Sequence, residues 1–212
     1  MNGTSVAERY REVWHDFVDE MLRTCEELRT AAQREGADLH ALLTACQAVP
    51  YDEAHRLMKD GADKTSNNIG SITGLFFEQI AAALVTGYLS SRVPDVRVER
   101  NTCSDSSLVG IARDPDIFLS LGGRRVVFEI KVAPKKRDLA WVRSLRQGYE
   151  DHEARYYLIG GYASLTRGDL QVLVSERWAC FTASSGRNRV ELEKLPRLDD
   201  LVRQAASFLG DS

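Results

Sequence analysis

Gly122-Gly123 is the feature that most restricts what this chain can become. Two consecutive glycines tolerate the positive φ that both central positions of a two-residue β-hairpin turn require. Both flanks have strand character. Ile117, Leu119 and Leu121 alternate with Phe118 and Ser120 on one side, and Val126 to Val132 is β-branched and mostly apolar on the other. A two-residue turn also sets the register: Leu121 must pair with Arg124, and counting outward along the ladder places Asp116 opposite Glu129. Alternate side chains share a face of a strand, so Lys131 joins the two acids. The Cβ atoms of the opposed pair are expected about 4.5–5.5 Å apart.

Two carboxylates placed face to face repel, and such a pair normally destabilises a sheet. A divalent cation between them reverses the sign. Mg2+ takes hard oxygen ligands, keeps several waters, and is commonly held by one or two carboxylates together with substrate phosphate oxygens. An amine beside it orients or deprotonates an attacking water, or steadies the charge that grows on phosphorus. The three residues therefore supply what phosphodiester hydrolysis needs. Glu129-Ile130-Lys131 is the only Asp/Glu-x-Lys triplet in the chain. A second Pro-Asp pair, Pro94-Asp95, lacks a hairpin partner and is set aside. Glu78 is a further candidate, because a lone acid among Phe76, Phe77 and Ile80 on an apolar helix needs a partner.

The rest of the chain predicts helices around this hairpin. Val6, Tyr10, Val13, Phe17, Met21 and Leu28 recur near helical spacing, which predicts a helix over 5–35 stopped by Gly36. Asp38 is placed to cap a second helix, Leu39 to Val49, ending at Pro50, and a third runs from about Asp52 to Lys59. Residues 1–63 thus form an N-terminal helical subdomain and 64–212 the remainder. The polar run Lys64 to Ser71 reads as a hinge, followed by a buried apolar helix from Ile72 to Leu89. Val96 to Arg100 predicts a strand, Asp138 to about Asp151 a helix, and Arg155 to Tyr162 and Leu170 to Ser175 two strands. Leu198 to Leu209 predicts a closing helix. From Ile72 the order is αβββαβ, an α/β (α+β) class.

At 212 residues the chain suits one well-packed domain with a small appendage. No apolar run approaches the length that crosses a bilayer, and the charged start lacks a signal peptide's apolar core, so a cytoplasmic protein with no membrane partner is expected. Cys25, Cys46, Cys103 and Cys180 are scattered, which points to free thiols and away from structural zinc. His15, His40, His55 and His152 have no ligand spacing, which disfavours a histidine-metal nuclease. The formal net charge is -3, yet residues 113–146 carry nine basic side chains against four acidic ones. Local charge steers a phosphate backbone, so DNA remains a fitting partner. Lys135, Lys136 and Arg137 directly follow the strand that carries Lys131, and are candidates for holding phosphates without reading sequence.

Pro115-Asp116 followed thirteen residues later by Glu129-Ile130-Lys131 resembles the PD-(D/E)xK nuclease superfamily, which includes many type II restriction endonucleases. The αβββαβ order over roughly residues 72–163 is similar to that superfamily's core. The resemblance implies a restriction-endonuclease-like mixed central sheet flanked by helices. It implies Mg2+ held by Asp116, Glu129 and the carbonyl of Ile130, with Lys131 as the catalytic lysine. Many members have an acid on the helix before the sheet that reaches the metal, which brings in Glu78. Gln147 lies where some members carry a helix glutamine, but the tyrosine spacing of that variant is not matched. The implied activity is cleavage of double-stranded DNA at a specific site by a homodimer, since two-fold symmetry suits a palindrome. A structure-selective or repair nuclease of the same superfamily and a non-catalytic DNA-binding module are the alternatives. Ser66 to Ser71 and Asn101 to Val109 are polar enough to be candidates for base recognition.

Overall fold

In a computed structural model the described residues are 6–60, 66–99, 116–150, 154–163, 165–184 and 189–210. Four helices come first: α1 (Val6–Gln33), α2 (Leu39–Ala45), α3 (Val49–Asp60) and α4 (Ser66–Ser90). Three strands follow, β1 (Arg97–Glu99), β2 (Ile117–Leu121) and β3 (Arg124–Lys131), then α5 (Lys136–Glu150) and β4 (Ala154–Ala163). The chain closes with α6 (Arg167–Glu176), β5 (Ala179–Ser184), α7 (Arg189–Leu192) and α8 (Leu198–Gly210).

The five strands form one mixed sheet in the order β1-β2-β3-β4-β5. β1, β2 and β3 pair antiparallel, whereas β3 with β4 and β4 with β5 pair parallel. The hairpin has the predicted register, with Leu121 opposite Arg124 and Ile117 opposite Phe128. Gly122 and Gly123 have φ of 59° and 88°, the two positive values that the turn demands. α5 makes the crossover between β3 and β4, as a parallel pair requires.

The core is built on α4, whose Phe76, Phe77, Ile80 to Val85 and Leu89 are all buried. This stretch, Ile72–Ser90, is in fact 19 residues of mean hydropathy 1.4, so one helix is long and apolar enough to cross a bilayer, contrary to the sequence expectation. It is 67% buried within the protein. Burying each large side chain contributes about 1.5–3 kcal/mol, which explains an apolar helix in a protein interior. α1 lies across α4: the rings of Phe17 and Phe76 meet edge to face at 5.6 Å. The two helices approach so closely that a Cβ on Gly87 would sit 2.6 Å from the backbone oxygen of Arg29.

The N-terminal helices are tied to the far end of the chain by polar contacts. Asp38 caps α2 as predicted, accepting from the Ala41 amide at 2.8 Å. Asp199, buried on α8, accepts from the amides of Leu39 and His40 at 2.8 and 3.0 Å, so two carboxylates satisfy the first turn of α2.

Several sequence expectations need correction. α2 stops at Ala45, and Pro50 lies in the first turn of α3, where a proline has no intrahelical donor to lose. The predicted hinge at 64–71 is helical from Ser66 onward; short polar residues favour the opening turns of helices as well as loops. Leu170 to Ser175 is not a strand but part of α6. Thr166 and Asp169 form a reciprocal capping box, and Leu170 and Leu173 are buried at helical spacing while Val172 and Ser175 are exposed. The fifth strand is Ala179–Ser184, whose small residues disguise a buried strand. α5 begins at Lys136, ahead of the expected start at Asp138, which lies inside the first turn and accepts from the Lys135 amide at 2.8 Å. Among the described cysteines, Cys25, Cys46 and Cys180, no disulfide forms; Cys103 lies outside the described residues.

Candidate active site

The β2–β3 register brings Asp116, Glu129 and Lys131 together at one end of the hairpin. Asp116 immediately precedes β2, whose ladder with β3 runs from Leu121–Arg124 to Ile117–Phe128 and stops one step short of Glu129. Its Oδ2 accepts from the amide of Ile130 at 2.6 Å, which fixes the side chain over the neighbouring strand. The Lys131 ammonium lies 2.5 Å from Glu129 Oε1 and 3.6 Å from Asp116 Oδ2, and donates to the carbonyl of Ile130 at 3.1 Å. It occupies the space between the opposed carboxylates. Glu129 is only 3% exposed, an extreme position for a charged side chain.

Glu78, half-buried on α4, feels the charges of all three. Burial, followed by the charges of Asp116 and Glu129 and only partly offset by Lys131, pushes its carboxyl up to about 7. The carboxyl of Glu129 is raised for the same reasons, burial first and Asp116 second, against the pull of Lys131. Burial is the largest influence on Lys131 and works against its charge. The combined attraction of Glu129, Asp116 and Glu78 outweighs it and holds the ammonium above its ordinary range. Three acids around one lysine leave a surplus of two negative charges when all are ionised.

That surplus fits a divalent cation. Among the described residues no three His, Cys, Asp or Glu side chains converge tightly enough to cage a metal by themselves. Mg2+ needs no such cage, because it is held by one or two carboxylates and completes its shell with water and phosphate oxygen. Asp116 and Glu129 are oxygen donors of the right kind, the Ile130 carbonyl points to the same ammonium, and Glu78 is near enough to feel their charges. The donor set suits a hard cation and offers no soft ligand.

Lys135, Lys136 and Arg137 are exposed where β3 leads into α5. Arg137 is 81% exposed and lies 3.7 Å from Asp138, an approach too open to neutralise it. The other sequence candidates lie apart or outside the description. Asp95, of the competing Pro-Asp pair, is exposed in a positive-φ turn, and Gln147 is exposed on α5. Ser66 to Ser71 is part of α4, and Asn101 to Val109 lies outside the described residues.

Two neighbours escaped the sequence reading. The buried Tyr156 hydroxyl donates to Glu129 Oε2 at 3.4 Å. Gly160 pairs with Lys131 across the parallel ladder, where a Cβ would collide with the Phe181 ring. Both belong to a strand that was predicted, but its register against β3 had no sequence signal.

No family model matches the chain, and no curated protein matches it in sequence. Among solved structures the chain is similar to the restriction endonuclease PspGI in its complex with substrate DNA. The two share 13% sequence identity at a TM-score of 0.46, over 99% of this chain and 94% of that one. A likeness at that level assigns no role to any residue of this site.

Proposed function

We propose that this protein is a Mg2+-dependent endodeoxyribonuclease of the PD-(D/E)xK type that hydrolyses phosphodiester bonds in double-stranded DNA. The observation that carries the reading is the convergence of Asp116, Glu129 and Lys131 at the end of one hairpin, with the ammonium between the two carboxylates. Facing acids on adjacent strands weaken a protein unless something positive sits between them. Here a lysine does so, and a divalent ion would add to it.

In this reading Asp116 and Glu129 hold the ion, with the carbonyl of Ile130 and the carboxylate of Glu78 as further oxygen donors. Bound Mg2+ would supply a Lewis acid for the phosphate and lower the pKa of a coordinated water. Without metal, the carboxylate neighbours hold the Lys131 ammonium above its ordinary range. Lys131 acts as a positive charge and hydrogen-bond donor toward the phosphate oxygens, and orients or deprotonates the attacking water. Lys135, Lys136 and Arg137 hold the flanking backbone, which orients the strand without reading its sequence. Residues 64–212 form the nuclease core, and the N-terminal helical subdomain, residues 1–63, buttresses α4.

Cutting both strands of a palindromic duplex calls for two such sites related by two-fold symmetry, so the working form is a homodimer of the type II restriction kind. The test incubates purified protein with plasmid DNA, with and without Mg2+, and maps the fragment ends. Metal-dependent cutting that is lost in Asp116→Asn, with DNA binding retained, is the expected outcome. Fragments ending at one palindromic sequence identify a restriction enzyme, whereas cutting confined to branched or damaged substrates identifies a structure-selective nuclease. Cleavage by Asp116→Asn at the wild-type rate overturns the assignment.

A further inference from the structure

We propose that Tyr156 is a positioning residue for the metal-binding carboxylate of Glu129, holding its Oε2 so that Oε1 is presented to the Asp116–Lys131 side of the site. The inference rests on the reading of Asp116 and Glu129 as metal ligands and extends it to a residue on another strand.

The parallel register of β4 on β3 is the basis. Tyr156 pairs with Val127 and Leu158 pairs with Glu129. Paired residues in a sheet share a face, and Val127 and Glu129 share theirs, so Tyr156 stands on the face of the acidic cluster, one step back from Glu129. The direct cross-strand neighbour of Glu129, Leu158, is apolar and offers the carboxylate no hydrogen bond. The phenol is 2% exposed and reaches forward along the face to Glu129 Oε2, at 3.4 Å. The other oxygen, Oε1, is engaged by Lys131 at 2.5 Å. Both oxygens of a nearly inaccessible carboxylate are thus assigned, one to a neutral donor and the other to the cation.

The neutrality of the donor matters. A second ammonium or guanidinium at this position would cancel the negative charge that attracts a divalent ion. A phenol hydroxyl orients the carboxylate and leaves its charge in place. Without it Oε2 would be buried and lack this donor, leaving the Lys131 contact at Oε1 to oppose turning about the terminal torsion, a soft two-fold rotation. Partners that orient ligating carboxylates commonly contribute about 10- to 100-fold to metal affinity. At 3.4 Å the lower end of that range is expected.

The experiment measures Mn2+ uptake by electron paramagnetic resonance of the free ion, with no DNA present. It compares wild type, Tyr156→Phe and Tyr157→Phe. Tyr157 is also buried, but it projects to the opposite face and stacks on Phe128, so its hydroxyl serves as the control. Expected is a Kd about tenfold weaker in Tyr156→Phe and unchanged in Tyr157→Phe. In cleavage assays the Mg2+ concentration for half-maximal rate should rise about tenfold in Tyr156→Phe, while the rate at saturating Mg2+ changes little.

Site-specific incorporation of 3-fluorotyrosine at position 156 gives a second measurement that does not depend on the folding of Tyr156→Phe. Its fluorine resonance should move when Mg2+ is added. Wild-type Mn2+ affinity in a folded Tyr156→Phe, or a fluorine resonance indifferent to Mg2+ in a protein that binds it, overturns the role of Tyr156. Failure of the wild type itself to take up Mn2+ overturns the nuclease reading on which that role depends.

Discussion

Replacing Glu78 with glutamine should make the metal-free protein more stable at alkaline pH, because this acid is ionised there against its surroundings. The folded carboxyl titrates near 7, raised from 4.5 by burial and by the charges of Asp116 and Glu129. Between those two values the folded chain keeps a proton that the unfolded chain releases. Stability therefore falls as pH rises through that window, and the full penalty is present above about 7. At 1.36 kcal/mol per pH unit the interval from 4.5 to about 7 corresponds to about 3 kcal/mol. Glu78 is only partly buried, and solvent screening reduces this to about 1–2 kcal/mol. Glutamine keeps the shape and carries no charge to desolvate or repel. Urea denaturation in EDTA should show Glu78→Gln level with wild type near pH 4.5 and about 1–2 kcal/mol more stable at pH 8. In a chain of this size that gain corresponds to about 2–8 °C in Tm. Excess Mg2+ should narrow the gap by stabilising the wild type more than the variant, through preferential binding to the folded state. Equal stability of the two proteins at pH 8, or a difference that does not grow from pH 5 to pH 8, refutes the electrostatic crowding of Glu78.

Other changes probe separate parts of the molecule. Gly87→Ala, which drives a Cβ to 2.6 Å from the Arg29 carbonyl, should cost about 1–3 kcal/mol and lower Tm by forcing α1 away from α4. Lys131→Met should slow cleavage about 10²- to 10⁴-fold at saturating Mg2+, measured in single turnover; a smaller effect removes the ammonium from the chemistry. Alanine at both Lys136 and Arg137 should weaken binding to all duplex sequences alike and flatten the slope of log K against log salt by about 1 for each phosphate no longer neutralised. An unchanged salt slope shows that this run does not touch DNA. Thr166→Ala should cost about 1 kcal/mol in thermal melts by removing one half of the α6 capping box.

The parts legible in advance were those governed by neighbours in the chain. α1, the apolar α4, the hairpin strands, α5, β4 and α8 were each carried by periodicity strong enough to survive tertiary packing. The failures fell where short-range signals conflict. Leu170 to Ser175 has the β-branched content of a strand, but the Thr166–Asp169 box starts a helix just before it. Ala179 to Ser184 has weak strand propensity and becomes a strand because β4 offers it a buried edge. Propensities of this kind amount to tenths of a kcal/mol and yield to packing worth several times as much.

What the sequence determined by itself was the local geometry of the hairpin. Gly122 and Gly123 close a turn that permits one register, and that register carries Asp116, Glu129 and Lys131 to a common face. No long-range information is needed, because the pairing is counted outward from two adjacent residues. Only the tertiary structure decided what surrounds them. Glu78 arrives on a helix nearly forty residues earlier in the chain. Tyr156 and Gly160 arrive on a strand joined through a crossover helix, whose length fixes no register. The alignment of β4 against β3 is chosen by the whole core at once: the side chains of Leu158, Ile159 and Phe181 must all be buried together, and no local stretch of sequence states that condition.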